Sequence, residues 1–364
     1  MRNIIIFGGA FDPIHNTHIN MAKKACAFLN NALVYFVPTR TPRWKISEAT
    51  ASQRLKMVEL AIQKEKKFKL CDYEIKSKRK TNYTLDTVKY FKKIFPKDNL
   101  YFLIGGDQVN QFDNWYKPIE LSNSIQLLYI ERKNVFVDQN LIKKYHFKKI
   151  PSSREDSSST NIRNFESINV PTETFNFILD NNLYFLKNIK SFYEEKRYEH
   201  VKRVTKLAYE IAVVNNLKES DINKLFIASL LHDIAKKFDI NKIKKLTKKY
   251  FPKYVSLNKE ILHQFAGAAI AKEKFGIKNK EILNAISYHT TGRKNMSKIE
   301  KILYCADKIE PGRGFDNSKF IRKLKSNLEE GFLYTLKENI KYFKKNKIAF
   351  NNCLTEQCMN YFLK

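Results

Sequence analysis

The N-terminal segment of the chain constrains the fold most strongly. Residues 4–7 form a continuous apolar run rich in β-branched side chains, and Gly8 and Gly9 follow it directly. Such a run is typical of a buried parallel strand, and paired glycines let the backbone turn approach a ligand closely. We therefore predict that a parallel sheet opens the chain and that a nucleotide can bind at the end of its first strand.

Two histidines follow this turn. His15 and His18 are three residues apart, and Pro13 precedes them at a position suited to the start of a helix. The spacing places both imidazoles on one helical face, where they can contact phosphate oxygens beside the turn. A buried core histidine next to a structural glycine turn is the competing explanation for either residue alone.

Strand and helix patterns alternate through the first half of the chain. Apolar or alternating runs predict strands at 33–37, 68–75, 101–104 and 125–130, and amphipathic patterns predict helices at 19–29 and 51–61. Strand-helix-strand units of this kind build right-handed crossovers. We predict an α/β fold with a doubly wound parallel sheet, in which ligands bind at the carboxyl ends of the strands.

Several segments after these strands carry groups suited to anions. Lys45 lies in a basic loop, Thr84 lies where a new helix begins, and Arg163 follows a serine-rich stretch at 151–160. Helix N-termini and the guanidinium fork both bind phosphate well. Solvated loop charges, a simple helix cap and a flexible linker are the respective alternatives. Trp115 can stack on a heteroaromatic ring or pack in the core.

The order of these motifs resembles one family. Gly-Gly-Ala-Phe-Asp-Pro-Ile-His-Asn-Thr-His, Pro-Thr-x-x-Pro-x-x-Lys, Asn-Tyr-Thr-Leu-Asp-Thr, Gly-Gly-Asp and Ser-Ser-Thr-Asn-Ile-Arg occur as in bacterial nicotinate-nucleotide adenylyltransferases. These belong to the nucleotidyltransferase superfamily with an HxGH-type motif, although Thr17 replaces the usual glycine here. The resemblance spans residues 1–186, so it predicts a first domain with those bounds that includes the serine-rich stretch.

The resemblance implies a reaction and a set of residues. The phosphate of nicotinate mononucleotide would attack the α-phosphorus of ATP and expel pyrophosphate, with Mg²⁺ bridging the phosphates. Because the nucleophile is already anionic, catalysis would consist of alignment and charge neutralisation. The implied catalytic residues are His15, His18, Lys45 and Arg163; the ATP contacts are Gly8, Gly9, Phe11, Asp12, Gly105, Asp107, Ser159 and Thr160; and the nicotinate-nucleotide contacts are Tyr83, Thr84, Trp115 and Arg132. Another nucleotidyltransferase, such as the phosphopantetheine enzyme, is the alternative.

From residue 187 onward the patterns are wholly helical, which predicts a second, all-α domain at 187–364. Four of the seven histidines of the chain lie here, and one of them, His232, directly precedes Asp233. Imidazoles and carboxylates from successive helices can converge on one metal. The residues alone support metal-dependent hydrolysis of a phosphate ester or anhydride.

The flanking segments resemble a family of their own. Leu-Leu-His-Asp-Ile-Ala-Lys, His-Thr-Thr-Gly-Arg-x-x-Met-Ser and Ala-Asp-Lys-Ile-Glu-Pro-Gly-Arg look like bacterial HD-superfamily proteins that hydrolyse diadenosine tetraphosphate symmetrically, to two ADP. The resemblance implies iron, or another transition metal such as manganese or cobalt. The implied metal ligands are His200, His232, Asp233 and Asp307; the implied catalytic residues are Asp233 and Lys236; and the implied nucleotide or second-metal contacts are Arg197, His263, His289, Thr290 and Arg313. A different nucleotide phosphohydrolase, or an RNA-binding module, is the alternative.

Charge and cysteine content complete the expectations. The formal net charge is +30, from 67 Lys and Arg against 37 Asp and Glu, and the lysines are spread along the chain. Such a charge would attract polyanions of any kind. We interpret the excess as a solvated lysine-rich surface and do not expect a dedicated nucleic-acid site; general enrichment of anionic nucleotide substrates is the other alternative. Five cysteines without a Cys-x-x-Cys pair, no secretory leader and no long apolar span predict a cytoplasmic protein that does not enter membranes. The oligomeric state is left open.

Overall fold

The structure is a computed structural model that describes residues 1–42, 46–79, 81–131, 135–151, 158–164, 167–346 and 353–363. The chain divides into two compact units, Met1–Tyr184 and Phe185–Lys364. The division falls two residues before the domain boundary predicted from the sequence at residue 186.

The first unit is built on a parallel sheet. Its strands are β1 (Asn3–Gly9), β2 (Leu33–Pro38), β3 (Phe68–Leu70), β4 (Asn99–Gly105), β5 (Gln126–Ile130) and β6 (Lys148–Lys149). Within the described ranges they form one sheet in the order β3-β2-β1-β4-β5-β6, and each pairing is parallel. The predicted α/β fold of the first half is therefore confirmed.

Helices connect these strands. They are α1 (Asn16–Phe28), α2 (Ala51–Ile62), α3 (Tyr73–Lys76), α4 (Thr84–Ile94), α5 (Gly106–Val109), α6 (Pro118–Ser124), α7 (Gln139–Lys144), α8 (Ser159–Arg163) and α9 (Thr172–Asp180). The start of α2 shows how the sequence sets a boundary. Thr50 accepts a hydrogen bond from the Gln53 amide, and the Gln53 side chain accepts one from the Thr50 amide, which satisfies two otherwise unpaired N–H groups.

Strand β1 is the centre of the sheet. Ile4, Ile5 and Ile6 are fully buried, as expected for a strand covered on both faces. Ile5 pairs with Val34 of β2 on one side and with Tyr101 of β4 on the other. The strand order reverses between β1 and β4, and parallel sheets bind ligands outside the carboxyl ends of strands at such a point. The segments after β1 and β4 therefore frame the candidate site.

Two details of the strand prediction were wrong. The strand expected at 68–75 stops at Leu70, and Tyr73–Lys76 forms α3 instead. Tertiary contacts account for the change, because the Tyr73 ring stacks on Tyr90 with centroids 4.0 Å apart, and the buried Glu74 accepts a hydrogen bond from Thr87. Strand β6, two exposed lysines at the sheet edge, has no apolar pattern and was missed.

The second unit consists of helices, and none of its described residues forms a β-strand. The helices are α10 (Leu186–Lys190), α11 (Glu195–Val214), α12 (Glu219–Leu231), α13 (Ile240–Tyr250), α14 (Lys259–Lys274), α15 (Lys280–Tyr288), α16 (Lys298–Ile309), α17 (Ser318–Ser326), α18 (Leu328–Lys345) and α19 (Cys353–Phe362). Helix α12 contacts α11, α14, α15 and α16. Helix α12 thus packs among four neighbouring helices, and the helical structure of the described residues confirms the predicted all-α second half.

Among the helices of the described residues, none combines the length and the apolar character needed to span a membrane.

Candidate active sites

The two histidines after β1 lie against each other. His15 is the N-cap of α1 and is buried, and His18 lies in the first turn of the helix. Their ring centroids are 3.7 Å apart, and the His15 amide donates to Nδ1 of His18 at 3.3 Å. Phe11 packs edge-on against His18 with centroids 5.1 Å apart. The predicted pairing of the two imidazoles beside the glycine turn is thus present.

Asp12 holds the same turn from inside the unit. Its carboxylate is buried and accepts hydrogen bonds from the amides of Glu48 and Ala49 at 2.9 and 3.2 Å and from the Tyr184 hydroxyl at 2.9 Å. The sequence suggested Asp12 as an ATP contact. The structure directs its side chain toward the protein, where it links the loop after β1 to the segment before α2.

Helix α8, which begins at the end of the serine-rich stretch, contacts this turn. Arg163 donates to the Asp12 carbonyl at 2.7 Å, and Ser159 donates to the Pro13 carbonyl at 2.9 Å. Arg163 also lies 3.3 Å from Glu48, and its guanidinium donates to Thr160 at 3.1 Å. Residues about 150 positions apart in the sequence therefore meet at the carboxyl end of β1.

The other predicted contacts of this unit lie on separate elements. Gly8 and Gly9 end β1, Gly105 ends β4, and Asp107 lies in α5. Tyr83 is the N-cap of α4 and Thr84 is its first residue, and the Tyr83 ring stacks on Tyr116 with centroids 4.0 Å apart. Trp115 is partly buried against the core, 5.1 Å from Phe112. Lys45 and Arg132 lie outside the described residues.

In the second unit the predicted ligands converge. His200 comes from α11, His232 and Asp233 follow α12, and Asp307 lies on α16. The Nε2 atom of His200 is 3.2 Å from Oδ1 of Asp307, and Nε2 of His232 is 3.7 Å from the same oxygen. Both imidazole atoms are also 3.7 Å from Oδ2 of Asp233. Four side chains from three helical regions thus face one point.

Asp233 connects this cluster to a second one. Its Oδ2 atom faces His200 and His232, whereas Oδ1 lies 3.3 Å from Nε2 of His263 and 3.5 Å from Nε2 of His289. The two Nε2 atoms of His263 and His289 are 3.1 Å apart, and the Thr290 hydroxyl lies within 3.3 Å of both. One carboxylate is therefore shared by two groups of imidazoles.

The donor set fits a divalent metal. His200, His232 and Asp307 offer ligand atoms within 4.8 Å of one another, and so do His232, Asp233 and His289. The Nε2 atoms of His200 and His232 are buried and, within the described part of the chain, have no hydrogen-bond partner of good geometry. Converging imidazole nitrogens and carboxylate oxygens suit transition metals.

The charge states of the two carboxyls and of two of the imidazoles also fit. Burial disfavours the charged forms of Asp233 and Asp307, but the surrounding imidazoles outweigh this effect and hold the pKa of both carboxyls well below the ordinary value. Burial lowers the pKa of His289 to about 4 and also lowers that of His263. Ionised carboxylates and neutral imidazoles are the forms that bind metals.

The predicted cations of this unit differ in position. Arg197 lies 3.0 Å from Oδ2 of Asp233, and Arg313 lies 2.8 Å from Oδ1 of Asp307, so both guanidinium groups border the cluster. Lys236 is exposed, one turn beyond Asp233.

Two further residues that sequence reasoning missed hold the turn after α15. Buried Gln264 accepts from the Thr290 amide at 3.1 Å, and Lys308 donates to the carbonyls of His289 and Thr290, both at 3.1 Å. A polar side chain within the apolar run of α14 was the available signal for Gln264. Lys308 adjoins Asp307 in the Ala-Asp-Lys motif, but nothing in the sequence shows which carbonyls it reaches.

Fold and site together define a bifunctional enzyme, a nucleotidyltransferase joined to an HD-type hydrolase. The family model described as cytidylyltransferase-like matches residues 6–165, and the HD domain model matches residues 197–312. An HD domain implies a divalent metal, in agreement with the clustered donors.

Known relatives identify the family. A probable nicotinate-nucleotide adenylyltransferase/Ap4A hydrolase of Mycoplasma genitalium is 32% identical over 345 residues, which cover 92% of this chain and 97% of that protein. The chain belongs to this family of two-domain enzymes.

Two other relatives each match half of the chain. A probable nicotinate-nucleotide adenylyltransferase of Clostridium botulinum is 38% identical over 201 residues, covering 50% of this chain and 100% of that protein. The crystal structure of a predicted HD superfamily hydrolase involved in NAD metabolism from Clostridium acetobutylicum is 32% identical with a TM-score of 0.42, covering 49% of this chain and 96% of that chain.

Proposed function

We propose that the first domain, residues 1–186, transfers the adenylyl group of ATP to nicotinate mononucleotide and releases pyrophosphate. The observation that carries this proposal is the meeting of His15, His18 and the Ser159–Arg163 helix at the carboxyl end of β1. The names of the Mycoplasma and Clostridium botulinum relatives support the choice of nicotinate mononucleotide as acceptor.

The main catalytic task of this site would be to align the two nucleotides. The attacking phosphate is anionic, so no general base is required, and the barrier is lowered by holding both nucleotides in line and by neutralising charge on the phosphates. His15 and His18 would contact the reacting phosphates, while Arg163 and Lys45 would contact the β and γ phosphates. Mg²⁺ would supply further charge neutralisation when bound.

We propose that the second domain, residues 187–364, hydrolyses diadenosine tetraphosphate symmetrically to two ADP. The convergence of His200, His232, Asp233 and Asp307 carries this proposal, and these residues would hold one divalent metal. Such a metal lowers the pKa of a bound water and polarises a phosphoryl oxygen. His263, His289 and Thr290 would hold a second metal or the substrate phosphates, and Arg197 and Arg313 would neutralise the nucleotide.

One experiment tests both activities. The protein is incubated with ATP and either nicotinate or nicotinamide mononucleotide, and separately with diadenosine tetraphosphate, and the products are separated chromatographically. We expect nicotinate adenine dinucleotide with pyrophosphate in the first reaction and ADP as the only nucleotide product in the second. ATP with AMP from the second reaction would exclude symmetrical cleavage.

Paired variants assign each activity to its unit. His18→Ala should lower adenylyl transfer at least tenfold and leave hydrolysis unchanged, whereas His232→Ala should abolish hydrolysis and leave adenylyl transfer unchanged. Each variant is thus the folding control for the other. Loss of both activities in either variant would contradict the assignment.

A further inference from the structure

Glu310 lies one residue beyond α16 and is almost completely buried, with 1% of its surface exposed. Its Oε1 atom lies 3.1 Å from Nδ1 of His200 and 3.3 Å from Nη2 of Arg203. Its Oε2 atom accepts from Nε of Arg203 and from the Gly312 amide, both at 2.6 Å. A carboxylate has about four acceptor positions, and here each one faces a donor or the imidazole.

Glycine at position 312 is part of this arrangement. A Cβ atom on Gly312 would collide with the guanidinium of Arg203. Absence of a side chain at this position therefore lets the backbone amide and the guanidinium approach the same carboxylate oxygen. With both donors in place, Glu310 has no freedom to turn away from His200.

His200 needs such a partner because of where it lies. His232 and His289 follow the last residues of α12 and α15, and their Nδ1 atoms lie 2.7 and 2.8 Å from the carbonyls of Ser229 and Ile286. Carbonyls in the last turn of a helix lack intrahelical partners and can accept from a side chain. His200 lies inside the 20-residue helix α11, where those carbonyls bond to the helix itself.

We propose that Glu310 is the positioning residue of the second site: its carboxylate accepts Nδ1–H of His200 and so directs the unprotonated Nε2 toward Asp233 and Asp307. An ionised carboxylate can only accept, so a contact at 3.1 Å is favourable only when Nδ1 carries the proton. The Nε2 atom then offers its lone pair to the metal. A carboxylate behind a metal-binding imidazole also raises its basicity. This inference rests on the metal site proposed above.

The other partners of Glu310 require an accepting carboxylate. Arg203 and the Gly312 amide can only donate hydrogen bonds, and between them they contact both carboxylate oxygens. Glu310 is therefore an acceptor toward His200 as well.

The chain contains a matched control. Glu300, in the first turn of α16, is 2% exposed and accepts from Nε and Nη2 of Arg293 at 2.6 and 3.0 Å and from the Ser297 amide at 2.8 Å. It is a buried carboxylate paired with an arginine and a backbone amide, but no histidine is among these partners. Glu300→Gln therefore measures the cost of neutralising such a group without changing His200.

Metal affinity tests the proposal. Mn²⁺ or Co²⁺ affinity of the full chain is measured by competition with a chelator for the wild type, Glu310→Gln and Glu300→Gln. We expect a loss of about 10- to 100-fold for Glu310→Gln, the usual effect of removing an outer partner of a metal ligand, and Glu300→Gln should stay within about 3-fold of the wild type. Equal losses in both variants, or wild-type affinity in Glu310→Gln, would overturn the proposal.

A second measurement needs neither metal nor a variant of Glu310. Long-range ¹H–¹⁵N spectra of metal-free wild-type protein, recorded at a pH high enough for His200 to be neutral, report the tautomer of each histidine, and His200→Gln identifies the relevant signal. We expect His200 to be protonated at Nδ1, and protonation at Nε2 alone would refute the assignment. Failure of the metal site itself has a different result, namely wild-type protein without metal affinity.

Discussion

Arg54 offers a sharp test of how the first site is held. The residue is 1% exposed, and its guanidinium donates to the Ala10 carbonyl at 2.7 Å and to the Arg40 carbonyl at 2.8 Å. Ala10 follows β1 and Arg40 follows β2, so one side chain from α2 fixes both segments at the carboxyl ends of neighbouring strands. Arg54→Met keeps the length of the side chain and removes both hydrogen bonds.

The expected destabilisation of Arg54→Met is the energy of the two lost hydrogen bonds minus the desolvation energy that is regained. Hydrogen bonds to a charged group contribute about 1.5–3 kcal/mol each, so two could account for roughly 3–6 kcal/mol. Two effects reduce this figure. Arg40 is exposed, so water can replace the guanidinium at its carbonyl, and removing a buried charge regains desolvation energy, which is the main reason that the pKa of Arg54 is lowered. We therefore expect a net destabilisation of about 2 kcal/mol.

Both tryptophans of the chain, Trp44 and Trp115, fall in the sequence range 1–184 of the first unit, so tryptophan fluorescence follows its unfolding selectively. Since urea m-values are typically about 1–3 kcal/mol/M, the midpoint should fall by about 1 M in Arg54→Met. The kcat/KM for ATP should fall at least tenfold, because both loops lose their shared anchor. Lys56→Met, an exposed substitution on the same helix, is the control and should change the stability by less than about 0.5 kcal/mol.

An unchanged midpoint together with unchanged kcat/KM in Arg54→Met would refute this reasoning. A loss of stability with wild-type kcat/KM would refute only the link between Arg54 and the loops of the site.

Three further outcomes are expected. Burial lowers the pKa of Lys308 to about 8 from 10.5, so between these pH values the unfolded chain binds more protons than the folded one. As the pH rises through this window, the free energy of unfolding of the wild type should therefore increase by up to about 3 kcal/mol relative to that of Lys308→Met. A difference between the two proteins that is independent of pH in urea titrations would contradict this. In Gly9→Ala the new methyl would lie 3.1 Å from the Phe11 ring, so we expect about 1–3 kcal/mol of destabilisation and slower adenylyl transfer. A wild-type free energy of unfolding together with a wild-type rate of adenylyl transfer would exclude this effect. In Gly331→Ala the new methyl would lie 2.5 Å from the Leu324 backbone, so the thermal midpoint of the second unit should fall by several degrees. An unchanged midpoint would show that α17 and α18 can separate freely.

Local sequence patterns were enough to predict most strands and helices of the fold. The apolar runs at 4–7, 101–104 and 125–130 became β1, β4 and β5, because strands buried on both faces need continuous apolar sequence. Helix α2 begins at Ala51, as its amphipathic pattern predicted, and its cap is built from the nearby residues Thr50 and Gln53. The failure at Tyr73 has the opposite origin, because a stacking partner 17 residues away determined the local structure.

The residues of the candidate sites also fall into those that local sequence motifs identified and those that they did not. Spacing in the motifs was enough to select the histidines and aspartates that the structure brings together in the second unit. It was not enough for Arg54 or Glu310, because their partners are separated in sequence and the hydrogen bonds depend on packing. Asp12 illustrates a third case, since its place in the motif suggested ligand contact but its carboxylate is directed toward Tyr184.

The bond between Tyr184 and Asp12 has a practical consequence for dividing the gene. The hydroxyl of the last residue of the first unit supports the loop that leads from β1 to His15, so this loop is anchored by the end of its own unit. A fragment cut at residue 165, where the cytidylyltransferase-like match ends, would lack this anchor and helix α9. Independent expression of the N-terminal enzyme therefore has to continue through residue 184.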